Sequence, residues 1–204
     1  MLAIVFEVKM ALSFRRIALF GAVLLVGGAV WPLIGLKTIG TTIETKDSRK
    51  FVERLDIAEL KRSLAIQIVR TQLTVLTPNR LPPLAFNLAM QAGIAVADAY
   101  VLEIVQPDHL FDLLKPSGIQ AIAEANASIW SWGAPNIRRV GQLLSAAEYR
   151  GQNFYVTIPV NAQPKDQFRF RLRLSQWTWK LAGVDLPEEL RVKLARELEK
   201  HVVR

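Results

Sequence analysis

The strongest chemical signal in this chain is a row of three arginines at every second position. In QFRFRLRLSQWTWKLAGVDLP, Gln167 to Pro187, the side chains of Arg169, Arg171 and Arg173 alternate with Phe168, Phe170, Leu172 and Leu174. Trp177, Trp179 and Leu181 then alternate with Thr178 and Lys180. Guanidinium groups present planar forks of N–H donors that match carboxylate and phosphate oxygens. Arg169, Arg171, Arg173 and Lys180 are therefore a candidate anion-facing surface. In the plainer alternative they form the wetted face of a sheet, where charge discourages edge pairing. A second group is the carboxylate pair Asp98 and Glu103, set in an otherwise apolar stretch. With Trp177 and Trp179 they are candidate lining for a pocket suited to a small apolar ligand or lipid fragment. The two histidines form the third group. His109 stands between Asp108 and Asp112, but a metal or proton-relay role needs a further partner. His201 is expected at an exposed helix end.

Other signals of catalysis are missing from the sequence. It contains no His-Glu-x-x-His, no Gly-x-Ser-x-Gly and no phosphate-binding glycine loop. With no cysteine, it has no disulfide, thiolate metal site or cysteine nucleophile. Glu188-Glu189 reads as helix-start charge. Trp130 and Trp132, beside Gly133 and Pro135, suit core packing or a loop anchor, with a pocket or lipid headgroups as the alternative. No catalytic residue, metal ligand or cofactor is assigned, and the expected role is binding or scaffolding.

These groups must be positioned by a chain of 204 residues with a net charge of +8. The basic excess lies in residues 1–70 and 150–204, around a mildly acidic middle. From Ile17 to Leu36 the chain is free of charge, between Arg15-Arg16 and Lys37. At about 1.5 Å per residue such a helix reaches about 30 Å, the thickness of a bilayer core. An uncleaved anchor is expected, and a signal peptide cleaved near Gly27-Gly28-Ala29 is the alternative. The organisation is then a tail (1–16), a transmembrane anchor (17–36) and an exported domain (37–204). A long domain translocates largely regardless of its charge, which favours the N-terminus inside. Met10 is an alternative start.

The domain begins with helical signals. Arg49–Leu55 is a short helical candidate, and Asp56 caps a longer one through Leu76, with Glu59 placed for a reciprocal capping box. Leu84–Val105 is apolar nearly all round. Asn87, Gln91, Asp98 and Glu103 argue against a second membrane span, because an unpaired carboxylate in lipid is costly. A packed core helix is expected instead. Pro107 starts another short helix, and Ser117–Ile137 is partly helical. From Ser145 the period becomes two. SAAEYR, NFYVTIPVN and the two strands joined near Ser175-Gln176 predict an antiparallel meander of three to four strands. Phe154, Val156, Ile158 and Val160 share one face, and Pro159 predicts an edge or a bulge. Pro187 opens a final helix.

Three stretches in order, TTIETKDSRKFVERLDIAELKRSL, ADAYVLEIVQPDHLFDLL and FRFRLRLSQWTWKLAGVDLP, resemble a bacterial family catalogued as domain of unknown function 2939. The resemblance covers most of residues 35–187. It implies one N-terminal membrane segment and a domain of this size, with no assigned catalytic residues. The order of helices then meander is also similar to the cone-shaped nuclear-transport-factor-2-like fold. The expected class is α+β, with a helical layer packed on the meander. The expected place is the bacterial inner membrane, single-pass, with the domain in the periplasm. Expected partners are membrane lipids and other membrane-protein subunits, as for an accessory subunit of a membrane complex; nucleic acid is not expected. A ligand-binding or enzymatic pocket on a cone-like fold is the alternative.

Overall fold

The computed structural model describes residues 27–28, 31–77, 81–114, 141–142 and 144–202. The chain divides into two compact units, residues 1–34 and 35–204. Most of the expected anchor, and all of Ser117–Ile137 with Trp130 and Trp132, lies outside the described residues. In the second unit, described helices precede a four-stranded antiparallel sheet and one helix follows it.

Residues 35–44 continue a helix (α1) whose Leu36, Ile39 and Ile43, one turn apart, are buried. Leu36, the last residue of the expected span, is thus enclosed within the second unit. Asp47 caps α2 (Ser48–Glu53) by accepting from the Lys50 backbone N–H at 3.1 Å. Asp56 caps α3 (Ile57–Thr71) in the same way, accepting from Glu59 N–H at 3.3 Å. The reciprocal half of the expected capping box is absent. Asp56 N–H donates to the Leu181 carbonyl at 2.9 Å, and Leu181 N–H donates to the Arg54 carbonyl at 2.8 Å. Leu55 and Leu181 thereby form a parallel bridge. The Glu59 side chain is left to reach the sheet. A widened turn, Gln72–Leu76, ends α3, and Thr77 Oγ1 donates back to the Gln72 carbonyl at 3.0 Å.

Next come α4 (Pro83–Ile104) and α5 (Pro107–Leu114). The sheet runs β1 (Ala147–Arg150), β2 (Asn153–Ile158), β3 (Phe168–Ser175) and β4 (Thr178–Asp185), neighbours in sequence order. The last helix is α6 (Glu188–Val202). One sheet face is the core: Phe154, Val156, Ile158, Phe168, Phe170, Leu172, Trp179, Leu181 and Val184 are all buried. Burial of each such side chain contributes about 1.5–3 kcal/mol. A bulge at Arg171/Leu172 lets β4 carry one extra residue, so Arg171 pairs with Gly183 while Leu172 pairs with Leu181.

The structure corrects three expectations. Trp177 does not join Trp179 on the core face; it sits in the β3–β4 turn with φ 62° and is 80% exposed. Pro159 marks neither an edge nor a bulge. β2 is an interior strand whose pairing ends at Ile158, just before a cis Pro159, and Val160 is exposed beyond it. Nor is α4 a core helix throughout. Its buried residues, Ala97, Tyr100, Val101 and Ile104, fall in its second half, and it packs on α3 rather than on the sheet. The sheet is met instead by α3 along β4 and by Gly35 of α1, which lies directly against Trp179.

Candidate functional site

The polar sheet face is built from register rows that run across the strands. Thr157, Arg169 and Asp185 form one row; Glu148, Tyr155, Arg171 and Gly183 form the next; Arg150, Asn153, Arg173 and Lys180 form the third. Alternation along each strand puts these side chains together, as the sequence pattern requires. The arginine row is not a free surface. Arg169 bonds Glu148 at 2.9 Å and lies over the Tyr155 ring at 4.6 Å. Arg171 bonds Glu59 of α3 at 3.1 Å and the Ala182 carbonyl at 2.7 Å. Arg173 stands 3.7 Å from the same Glu59. Each expected anion-facing arginine thus already faces a carboxylate of the chain itself. Lys180, the fourth member, makes no ion pair among the described residues.

Glu148 also takes Arg150 Nε at 2.6 Å. That hydrogen bond first, and then the charges of Arg150 and Arg169, hold its carboxyl below the ordinary value.

Between this face, α3 and the start of α6 lies an open groove of about 730 Å³. Its basic residues are Arg70, Arg169 and Arg191; its acidic ones are Glu148 and Asp185; Tyr155 and Thr157 stand among them. Gln67 closes one wall by bonding β4's exit twice, donating to the Val184 carbonyl at 2.8 Å and accepting from Leu186 N–H at 3.0 Å. Arg70, Arg191, Tyr155 and Asp185 were not legible as a set. They come from four elements, and only the packing of α3 and α6 brings them to one place.

The expected pocket of Asp98, Glu103, Trp177 and Trp179 does not form. Asp98 pairs with Lys61 of α3 at 2.7 Å on the surface. Trp177 is exposed in its turn and Trp179 is in the core. Glu103 lines a different groove, of about 480 Å³, together with Tyr100, His109, Glu197 and His201. There the Tyr100 hydroxyl donates to Glu197 at 3.1 Å, and burial, then the Glu197 carboxylate, pushes the phenol well above its ordinary value. His109 Nδ1 lies 2.9 Å from the Glu103 carbonyl. Among the described residues no group of three or more His, Cys, Asp or Glu is placed to hold a metal ion.

A second surface is apolar. Leu81 to Ala97 contains no charged residue. One face of α4 grips α3, where Gly93 lies so close to Val69 that a β-carbon would stand 2.5 Å from Val69 Cγ1. Away from it, Leu84 (75%), Leu88 (61%), Val96 (53%) and Leu102 (52%) are exposed. Among the described residues, α4 is the one helix long and apolar enough to cross a membrane by length and composition.

A family model described as Protein of unknown function (DUF2939) matches residues 22–113, and the chain resembles that family over this stretch. The match takes in α1 to α5 nearly to its end and stops before the sheet, so the third of the three stretches quoted above lies beyond it. No curated protein and no solved structure matches the chain.

Proposed function

We propose that this protein is a membrane-tethered binding and scaffolding subunit rather than a catalyst. The charge-free segment that begins at Ile17 supplies the tether, which ends before Gly35 and Leu36, both packed in the domain. The domain lies on the far side of the bacterial inner membrane, in the periplasm, since Lys9, Arg15 and Arg16 ahead of the segment resist crossing. The observation that carries the reading is α4. A helix free of charge from its start to Ala97, held to its domain on one side, with Leu84, Leu88, Val96 and Leu102 bare elsewhere, has the form of a contact surface for an apolar partner. In a tethered domain that partner is lipid or a membrane-embedded subunit.

Site-directed photo-crosslinking in intact membranes tests this. A photoreactive residue at Leu88 should give a discrete protein or lipid adduct. One at Lys165, exposed on the turn between β2 and β3, should not. Equal labelling from both positions, or none from Leu88, would overturn the reading. So would recovery of the chain in the soluble fraction after an alkaline carbonate wash.

A further inference from the structure

We propose that the groove between α3, the polar sheet face and α6 binds a small oxyanion-bearing ligand. Its phosphoryl or carboxylate group sits between Arg70 and Arg191, and an adjacent hydroxyl or amine donates to Asp185. The groove's charges divide into used and unused. Arg169 is engaged by Glu148 and the Tyr155 ring. Arg70 and Arg191 line the same groove, yet neither guanidinium makes an ion pair or hydrogen bond among the described residues. Nε of Arg191 is fully buried with no hydrogen-bond partner. A buried guanidinium donor left unpaired is unfavourable, and an arriving oxygen acceptor removes the penalty.

Position supports the pairing of the two arginines. Arg70 is in the last turn of α3, Arg191 is in the first turn of α6, and α3 and α6 pack on each other. Asp185 is the third unused group. Its register partner is Arg169, but that guanidinium is committed to Glu148, and the Asp185 carboxylate makes no hydrogen bond or ion pair among the described residues. Two unspent cations beside one unspent carboxylate complement an anion that carries a hydrogen-bond donor, rather than a bare anion. An open groove of about 730 Å³ has ample room for a phosphorylated polyol or a hydroxy acid. A glycerophosphate group, free or as a lipid headgroup, has the required chemistry.

The test uses the full chain in a mild non-ionic detergent, titrated calorimetrically with glycerol 3-phosphate and with inorganic phosphate. Vesicles of phosphatidylglycerol in phosphatidylcholine are compared with phosphatidylcholine alone. Saturable binding is expected, weakened about 10-fold or more by Arg70→Gln or Arg191→Gln, the loss of one charge-assisted contact. Arg62→Gln, on α3 but outside this groove, should change it less than about 2-fold, as for a screened surface charge. Asp185→Ala should weaken glycerol 3-phosphate relative to inorganic phosphate. Arginine-dependent binding of glycerol 3-phosphate assigns a free ligand; the same dependence seen only with phosphatidylglycerol vesicles assigns a headgroup. Should Arg191→Gln fail to fold by circular dichroism, Arg191→Lys keeps the charge but not the Nε donor, and is still expected to weaken binding. The proposal is overturned if Arg62→Gln weakens binding as much as Arg70→Gln, or if neither phosphate compound nor the anionic vesicles bind saturably.

Discussion

The guanidinium of Arg171 lies over Gly183, its register partner on β4. A β-carbon at Gly183 would stand 3.0 Å from Arg171 Nε and 3.1 Å from Ser63 Oγ. The missing side chain makes room for α3 to approach the sheet and for Arg171 to bridge Glu59 and the Ala182 carbonyl. The contact is an ion pair at the junction of the two layers, with both side chains about one-third exposed or less.

Glu59 and Arg171 should therefore couple. Glu59→Gln and Arg171→Ser are each expected to destabilise by roughly 1 kcal/mol after allowance for solvent screening. The double variant should lose less than the sum, by about 0.5 kcal/mol or more. Urea denaturation of the four proteins measures it. Strict additivity would show that the pair contributes nothing to the junction. Arg173→Ser, whose guanidinium stands farther from Glu59, should be close to neutral.

Two glycines mark the tightest helix contacts. At Gly35 a β-carbon would fall 2.5 Å from Trp179 Cβ, and at Gly93 the same distance from Val69 Cγ1. Gly35→Ala and Gly93→Ala should each destabilise by about 1–3 kcal/mol through overpacking, despite alanine's better helix propensity. Thermal melts that rise instead would mean the helices move apart at little cost.

The tryptophans of the hairpin should behave oppositely. Trp179 is 6% exposed and meets Phe154 at 6.2 Å between ring centres. Trp179→Ala should cost about 3–5 kcal/mol. Trp177→Ser, at an exposed turn, should change stability by less than about 0.5 kcal/mol. Denaturant midpoints decide, and comparable losses from both would contradict the assignment of Trp177 to the turn.

Glu148 predicts an acid limb in the stability profile. Its folded carboxyl titrates below the ordinary value of 4.5, because Arg150 donates to it and Arg150 and Arg169 surround it with positive charge. A lowered folded value means that the unfolded chain takes up the proton first. The contribution is then complete above the unfolded value and fades as pH falls through the folded one. Glu148→Gln should flatten the stability profile between about pH 5 and pH 3 and leave its slope above pH 6 unchanged. Parallel profiles for the two proteins would remove Glu148 from the acid response.

The meander was legible because strand alternation is a local signal. Phe168, Phe170 and Leu172 could only share a face, and they are all buried. The caps at Asp47 and Asp56 were similarly local, although the Asp47 cap was not anticipated. What escaped was set by distant partners. Glu59 stood where a capping box would use it, and Arg171, 112 residues away, took it instead. Trp177 kept the apolar alternation on paper, but positive φ at Gln176 and Trp177 made a turn of it. In α4, composition announced burial, whereas burial depends on how many neighbours the fold supplies, and among the described residues α4 packs chiefly on α3. Arg70, Asp185 and Arg191 carry no motif, so the groove emerges only when helix and sheet are assembled.

The two bonds of Gln67 also govern the order in which the molecule can be completed. Gln67 reaches Val184 across 117 residues and Leu186 across 119, and the backbone bridge at Leu55 waits for Leu181. Structure of such long sequence separation forms slowly, because the intervening loop must close before any contact rewards it. During synthesis α3 can pack on α4 early, but its seat on the sheet is missing until β4 has emerged. A chain cut short before β4 would leave the polar side of α3 and the outer edge of β3 uncovered together. Completion of the last strand is the step that joins the packed α3–α4 pair to the sheet.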